Sequence, residues 1–200
     1  PTPNAVENLA KEGITRGVHL VGDPMYDAVL LFSQMANQRS TILGDLGLVK
    51  NSYLLATVHR ASNTDDPSTL RAILAALAGL DEPVIIPLHP RTKQKVLEFD
   101  LTILQAGNLR FIEPVGYLDM LMLERNARCI LTDSGGVQKE AFFFAVPCLT
   151  LRAETEWVET VTSGWNRLVG TDAARIQEGT RHQFPEQKPP PRLFGDGHAA

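Results

Sequence analysis

The chain has 200 residues, 44% of them hydrophobic and 21% charged, enough for one good-sized domain or two small ones and for a real core. A formal net charge of -4 at neutral pH excludes an overall basic field, and with it a nucleic-acid partner, while leaving room for a local cationic pocket. No apolar run is long enough to span a bilayer, so no membrane partner is expected, and the first residues lack the charged and apolar regions of a signal peptide.

Short apolar runs alternate with helical patterns along the chain. Residues 18–22 read as a strand ending at Gly22, and Asp23-Pro24 as an N-cap with Pro at the first helical position. That helix is predicted to about residue 38, with Met25, Val29, Phe32 and Met35 as its apolar stripe. A second strand over 53–58 ends in the polar loop His59-Arg60-Ala61-Ser62-Asn63, and Asp66-Pro67 opens a helix through about residue 79. Residues 84–88 give a third strand, ending at His89-Pro90-Arg91-Thr92, where Pro fixes the turn and Thr92 caps a following helix.

A short fourth strand is predicted over 109–112, a helix over 117–126 and a fifth strand over 129–132, followed by Asp133-Ser134-Gly135-Gly136. Then come a helix over 137–144, a sixth strand over 148–151, a helix over 154–163, a short strand over 166–169 and a last helix from 172 to about 182. The tail from 184 to 200 carries the run Pro189-Pro190-Pro191, has no periodicity and is expected to be irregular or extended. Continuous apolar strands separated by amphipathic helices indicate an α/β protein with a doubly wound, Rossmann-like parallel sheet. Cys129 and Cys148 sit in two of the strands, with no CxxC pair and no Cys/His cluster at zinc spacing. They read as small buried thiols of a reducing, cytoplasmic compartment, with no metal and no cofactor expected.

Ligands of such sheets bind beyond the carboxyl ends of the strands. Most of the distinctive polar chemistry falls there: Asp23, His59-Arg60, His89-Pro90-Arg91, Glu113, the Asp-Ser-Gly-Gly turn, and Arg152 with Glu154 and Glu156. Two glycines before a helix let a backbone approach a ligand, and the helix N-terminus favours phosphate. The same turn also reads as a simple strand-to-helix junction with Asp133 or Ser134 as N-cap. Glu140, four residues after Gly136, lies on the same helix face and suits two ribose hydroxyls, or else is a solvated helix Glu. His59 is a candidate proton shuttle or phosphate donor, and Arg60 a forked diphosphate partner. Trp157 serves either packing or the cover of a base or sugar.

Together these residues resemble the C-terminal half of the non-hydrolysing UDP-N-acetylglucosamine 2-epimerases over nearly the whole chain. The likeness rests on Gly22-Asp23-Pro24, Val58-His59-Arg60, Leu88-His89-Pro90, Thr132-Asp133-Ser134-Gly135-Gly136, Glu140, Leu151-Arg152, Thr155-Glu156-Trp157 and Phe194-Gly195-Asp196-Gly197. It implies the C-terminal domain of a two-domain GT-B-like fold. Residues 1–22 would lead in from a preceding domain, 23–183 would be the UDP-binding domain, and 184–200 would lead to a further helix. By the same resemblance Ser134, Gly135 and Gly136 hold the diphosphate and Glu140 the ribose. His59 acts in catalysis, Arg60 and Arg152 support the cleft, and the backbone of 113–116 with Met120 borders the uracil.

The implied reaction inverts C2 of the sugar by elimination and re-addition of UDP, with no redox cofactor. The acid and base carboxylates would belong to the preceding domain, so this chain alone would be inactive, and the full-length protein would be a homodimer. Trp157-Val158 stands where some members have Arg-Pro, a departure similar to a subgroup acting on modified or oxidised UDP-sugars. A GT-B glycosyltransferase, a hydrolysing epimerase and a non-catalytic UDP-sugar-binding module remain as alternatives.

Overall fold

Apolar runs without polar alternation become strands that have no solvent face. The computed structural model describes residues 1–102, 107–182, 184 and 190–199. Its sheet holds β1 (Leu54–Thr57), β2 (Val84–Pro87), β3 (Leu109–Ile112), β4 (Cys129–Thr132), β5 (Cys148–Thr150) and β6 (Asn166–Leu168). All are parallel, in the order β3-β2-β1-β4-β5-β6. The central strands β1, β4 and β5 are buried throughout. The winding direction reverses between β1 and β4, the switch point at which doubly wound sheets open a crevice.

Helices cover both faces. In chain order they are α1 (Pro3–Lys11), α2 (Pro24–Arg39), α3 (Ile42–Leu46), α4 (Ala61–Thr64) and α5 (Pro67–Ala78). Then follow α6 (Pro90–Glu98), α7 (Tyr117–Asn126), α8 (Gly135–Phe143), α9 (Val158–Thr162) and α10 (Ala173–Arg181). The period-two alternation of the strands sorts the core. Leu54, Ala56, Val84, Ile86, Leu131 and Leu149 pack against α5, α6 and α10 through Ile73, Leu74, Val96 and Ile176. Leu55, Ile85, Ile130 and Cys148 face the other way, against Leu123 of α7 and Ala141 of α8.

The predicted strand over 18–22 is absent. These residues join no ladder, and Leu20 and Val21 are exposed, because a run this short has no sheet edge beside it to satisfy its backbone. α6 is capped by His89 rather than Thr92, whose hydroxyl instead donates to the carbonyl of Val58 at 2.5 Å. The predicted helix over 154–163 shrinks to α9, and α8 starts at Gly135 instead of 137, on the Ser134 cap. The tail residues 184 and 190–199 form no helix or strand, and Pro189 lies outside the described residues.

The segment before α2 and the tail are fastened to each other. The Asp23 N–H donates to the carbonyl of Phe194 at 2.9 Å, and that of Ala199 to Asp27 Oδ2 at 2.7 Å. Gly22 has φ +96°, and a Cβ there would lie 3.0 Å from the Phe194 carbonyl oxygen, so both conformation and space call for glycine. Phe194 packs edge-on to Phe142, Phe143 and Trp157.

Beneath this junction Asp23, the N-cap of α2, meets Lys139 of α8 at 2.7 Å with both side chains buried. The Lys139 ammonium also lies 4.2 Å from the Trp157 ring centre. Truncating one partner of a buried ion pair strands the other charge. Lys139→Ala is therefore expected to lower stability by about 3–5 kcal/mol, read by urea denaturation, with Asp23→Asn/Lys139→Met together costing less than the single truncation.

Candidate functional site

The switch point is organised by one carboxylate. Asp133, directly after β4, has no solvent exposure and receives the backbone N–H groups of His59 at 3.1 Å and Arg60 at 3.0 Å. The Asn63 side-chain amide donates to it at 3.0 Å and to the Leu151 carbonyl at 3.0 Å, tying the ends of β1, β4 and β5 together. The Thr57 and Thr132 hydroxyls meet at 2.6 Å just below. The loop after β1 is thereby wound into α4, and the His59 imidazole is left half-exposed with Nδ1 3.5 Å from Asp133 Oδ1. The His89 ring lies 5.8 Å from that of His59.

Ser134, not Asp133, is the N-cap of α8: its Oγ accepts from the Val137 N–H at 3.4 Å, and its own N–H donates to Thr132 Oγ1 at 2.9 Å. The first N–H groups of a helix have no intrahelical partner, and at the start of α8 Gly135 and Gly136 supply them. The two glycines are not equivalent. A Cβ on Gly135 would come within 3.1 Å of Trp157 Nε1, whereas one on Gly136 would make only ordinary contacts, the nearest at 3.6 Å. Trp157 therefore packs across the start of α8.

Beside His59 a cleft of about 220 Å³ opens between β1 and β2. His59, His89, Pro114, Val115, Met120 and Val137 line it, so of the expected base border it gathers Pro114, Val115 and Met120 but not Glu113 or Gly116. The Glu113 side chain turns outward to Lys93 at 2.6 Å. A larger aromatic cavity of about 280 Å³, between Tyr26, Phe143 and Leu193, sits at the C-terminal end of α8, opposite Gly135.

Arg60 and Arg152 converge on Glu156. Arg152 grips it with both guanidinium nitrogens, at 2.8 and 2.9 Å, and Arg60 reaches it at 3.2 Å. The Arg152 hydrogen bonds hold the Glu156 carboxyl down at about 2. Glu140 is no solvated helix residue: it is 5% exposed and accepts from the Tyr117 hydroxyl at 2.9 Å, and burial raises its carboxyl above the usual range.

The anchoring role of Asp133, the bridging by Asn63 and the Tyr117–Glu140 contact escaped sequence reading. A buried Asp before a Ser cap was the available sign for the first; the other two depend on residues 70 and 23 positions away.

Asp133→Ala removes the acceptor of three N–H donors, two of them part-buried and the third in the buried Asn63 amide, and is expected to cost about 2–3 kcal/mol in a urea titration. Because the Glu156 carboxyl is depressed, its clasp is intact above the ordinary carboxylate range and opens as pH falls through about 2, which carbon NMR of the carboxyl would follow. The clasp is exposed, so Glu156→Gln should shift stability by less than about 1 kcal/mol.

The family described as UDP-N-acetylglucosamine 2-epimerase matches residues 1–200. The "UDP-N-acetylglucosamine 2-epimerase homolog" of Methanococcus maripaludis is 46% identical over the whole chain, which spans 57% of that relative. The "UDP-2,3-diacetamido-2,3-dideoxy-D-glucuronate 2-epimerase" of Pseudomonas aeruginosa is 42% identical, again over the whole chain and 56% of its own length. Among solved structures, the UDP-GlcNAc 2-epimerase of Methanocaldococcus jannaschii in complex with UDP-GlcNAc and UDP superposes with a TM-score of 0.91 at 38% identity, over all of this chain and 57% of that one. The Neisseria meningitidis enzyme bound to UDP-GlcNAc gives a TM-score of 0.85 at 26% identity, over all of this chain and 57% of that one. The chain spans little more than half the length of these relatives, and it belongs to the UDP-N-acetylglucosamine 2-epimerase family.

Proposed function

We propose that this chain is the nucleotide-binding, C-terminal half of a UDP-sugar 2-epimerase of GT-B-like fold, and that it binds the UDP portion of UDP-N-acetylglucosamine across the switch point. The observation that carries the reading is the α8 N-terminus, capped by Ser134 and joined through Asp133 to the loop that carries His59. The M. jannaschii relative of similar fold holds UDP and UDP-GlcNAc, which supports the ligand class.

Ser134 with the N–H groups of Gly135 and Gly136 receives the diphosphate, a use of free helix N–H groups that needs no side-chain charge. Glu140 accepts the ribose hydroxyls, and the uracil enters the cleft between Val115 and Met120. That cleft, at about 220 Å³, is below the ~300–1,000 Å³ usual for a whole ligand, in keeping with one wall of a larger site.

The reaction breaks the C1–O bond of the sugar as the C2 proton leaves, giving UDP and a 2-acetamidoglucal. Re-addition of UDP with protonation of the other face of C2 completes the inversion. Negative charge grows on the β-phosphate oxygens during elimination, and donors already fixed at the α8 N-terminus stabilise it there. His59 supplies a further donor to the same oxygens. Arg60 and Arg152, clasped on Glu156, border the phosphates and add positive potential. No group on this chain is assigned to the C2 proton, which belongs to carboxylates of the other half.

A second reading of the sugar is favoured by the 42% identical P. aeruginosa relative together with Trp157: a 2,3-diacetamido-2,3-dideoxyglucuronate in place of N-acetylglucosamine. Incubating the full-length protein with each UDP-sugar in deuterated water, with products followed by proton NMR, separates the two. The true substrate gains its C2 epimer and deuterium at C2, and neither change with either sugar refutes epimerisation. Ser134→Ala should weaken UDP binding about tenfold or more by calorimetry, and His59→Ala should lower kcat by about 100-fold or more. A chain limited to residues 1–200 is expected to bind UDP but exchange no C2 proton.

A further inference from the structure

Behind Glu140 lies a second carboxyl that the proposed reaction does not use. Glu124, on the last turn of α7, has no solvent exposure, and among the described residues no donor reaches either of its oxygens. The Tyr53 hydroxyl, which packs nearby, is already committed to the Leu123 carbonyl at 2.6 Å. Glu124 follows Tyr117 by seven residues on α7, two turns along the same face, and Tyr117 meets Glu140 of α8, so the two carboxyls are neighbours that act on each other electrostatically. Two neighbouring carboxylates in a dry interior disfavour double ionisation, which favours the pair carrying one proton.

The surroundings say which carboxyl keeps it. Glu140 accepts from the Tyr117 hydroxyl at 2.9 Å and feels the Lys139 charge, both favouring its ionised form. Glu124 has neither aid, and burial, then the charge of Glu140, raise it well above the usual carboxyl range. The remaining titratable neighbours, Tyr53 and Cys148, are themselves pushed up by burial and bring no positive charge.

We infer that Glu124 is a positioning residue: as a neutral carboxylic acid it donates a hydrogen bond to Glu140 and, with the Tyr117 hydroxyl, fixes the Glu140 carboxylate as an acceptor for the vicinal hydroxyls of a ribonucleoside. The inference rests on the reading of Glu140 as the ribose acceptor. A Glu140 free to rotate would lose alignment with the diol while still carrying its charge, so preference for ribose over deoxyribose depends on the buried acid behind it. A neutral donor also avoids the like-charge repulsion that an ionised Glu124 would impose.

The test compares UDP with 2′-deoxy-UDP by calorimetry on the full-length protein and its Glu124→Gln and Glu124→Met variants. Gln keeps a donor; Met is apolar, of similar length, and removes it with little stability cost expected at a buried site. The wild type should prefer UDP; the preference should survive in Glu124→Gln and shrink by about five- to tenfold in Glu124→Met, the weight of one net hydrogen bond. A wild-type preference persisting in Glu124→Met, or lost equally in Glu124→Gln, overturns the inference. A wild type that binds UDP without preferring it, or does not bind it, instead overturns the ribose reading on which the inference rests. Infrared difference spectra supply a measurement independent of affinity: a protonated-carboxyl band present at neutral pH and lost in Glu124→Gln is expected, and its absence from the wild type refutes the neutral acid.

Discussion

A carboxylate sealed from water is stable only where donors surround it, and around Asp133 the donors come from a loop that would otherwise have no fixed shape. The N–H groups of His59 and Arg60 and the amide of Asn63 converge on it, and Asn63 goes on to the carbonyl of Leu151. The ends of three strands and the start of α8 are thus held by a single anion. The imidazole of His59, the first turn of α8 and the neighbouring cleft owe their mutual placement to it. A functional side chain on a mobile loop would have to be ordered at each turnover; here the ordering is done during folding.

Charge is distributed around the crevice so that nothing strongly positive is left bare. Arg60 and Arg152 share Glu156, which neutralises part of their charge, and the N-terminus of α8 adds the partial positive charge of its N–H groups. Under the proposed elimination and re-addition, a preorganised dipole would respond to growing charge without holding the product as tightly as two free guanidiniums would. The inferred acid pair of Glu124 and Glu140 would apply the opposite logic, burial keeping one carboxyl neutral so that its neighbour can remain an anion.

The strand and helix pattern was legible because the sheet is parallel. Runs such as 53–58 and 129–132 have no polar alternation, and helix starts such as Asp66-Pro67 and Asp172 are local signals that the structure honours with Asp caps. The failures also have local causes. Residues 18–22 have strand composition but no neighbour to pair with, and pairing is not a property of a segment alone. Residues 154–157 look helical but are taken by the clasp of Glu156 and by Trp157 stacking over Gly135. At the site, the short motifs announced themselves through glycine and capping chemistry. The side chains that orient them did not, because Asn63, Tyr117 and Glu124 reach their partners only once distant strands and helices are assembled.

The meeting of Gly22 and Phe194 has a topological meaning. The backbone enters the sheet-bearing body and leaves it at one point, with the Asp23 N–H bonded to the Phe194 carbonyl. A unit whose ends touch can be spliced into a loop of another protein, or have its ends joined and be reopened elsewhere, with little distortion of its core. Lys139, gripping Asp23 from α8, ties the helix that carries Gly135 to that same junction.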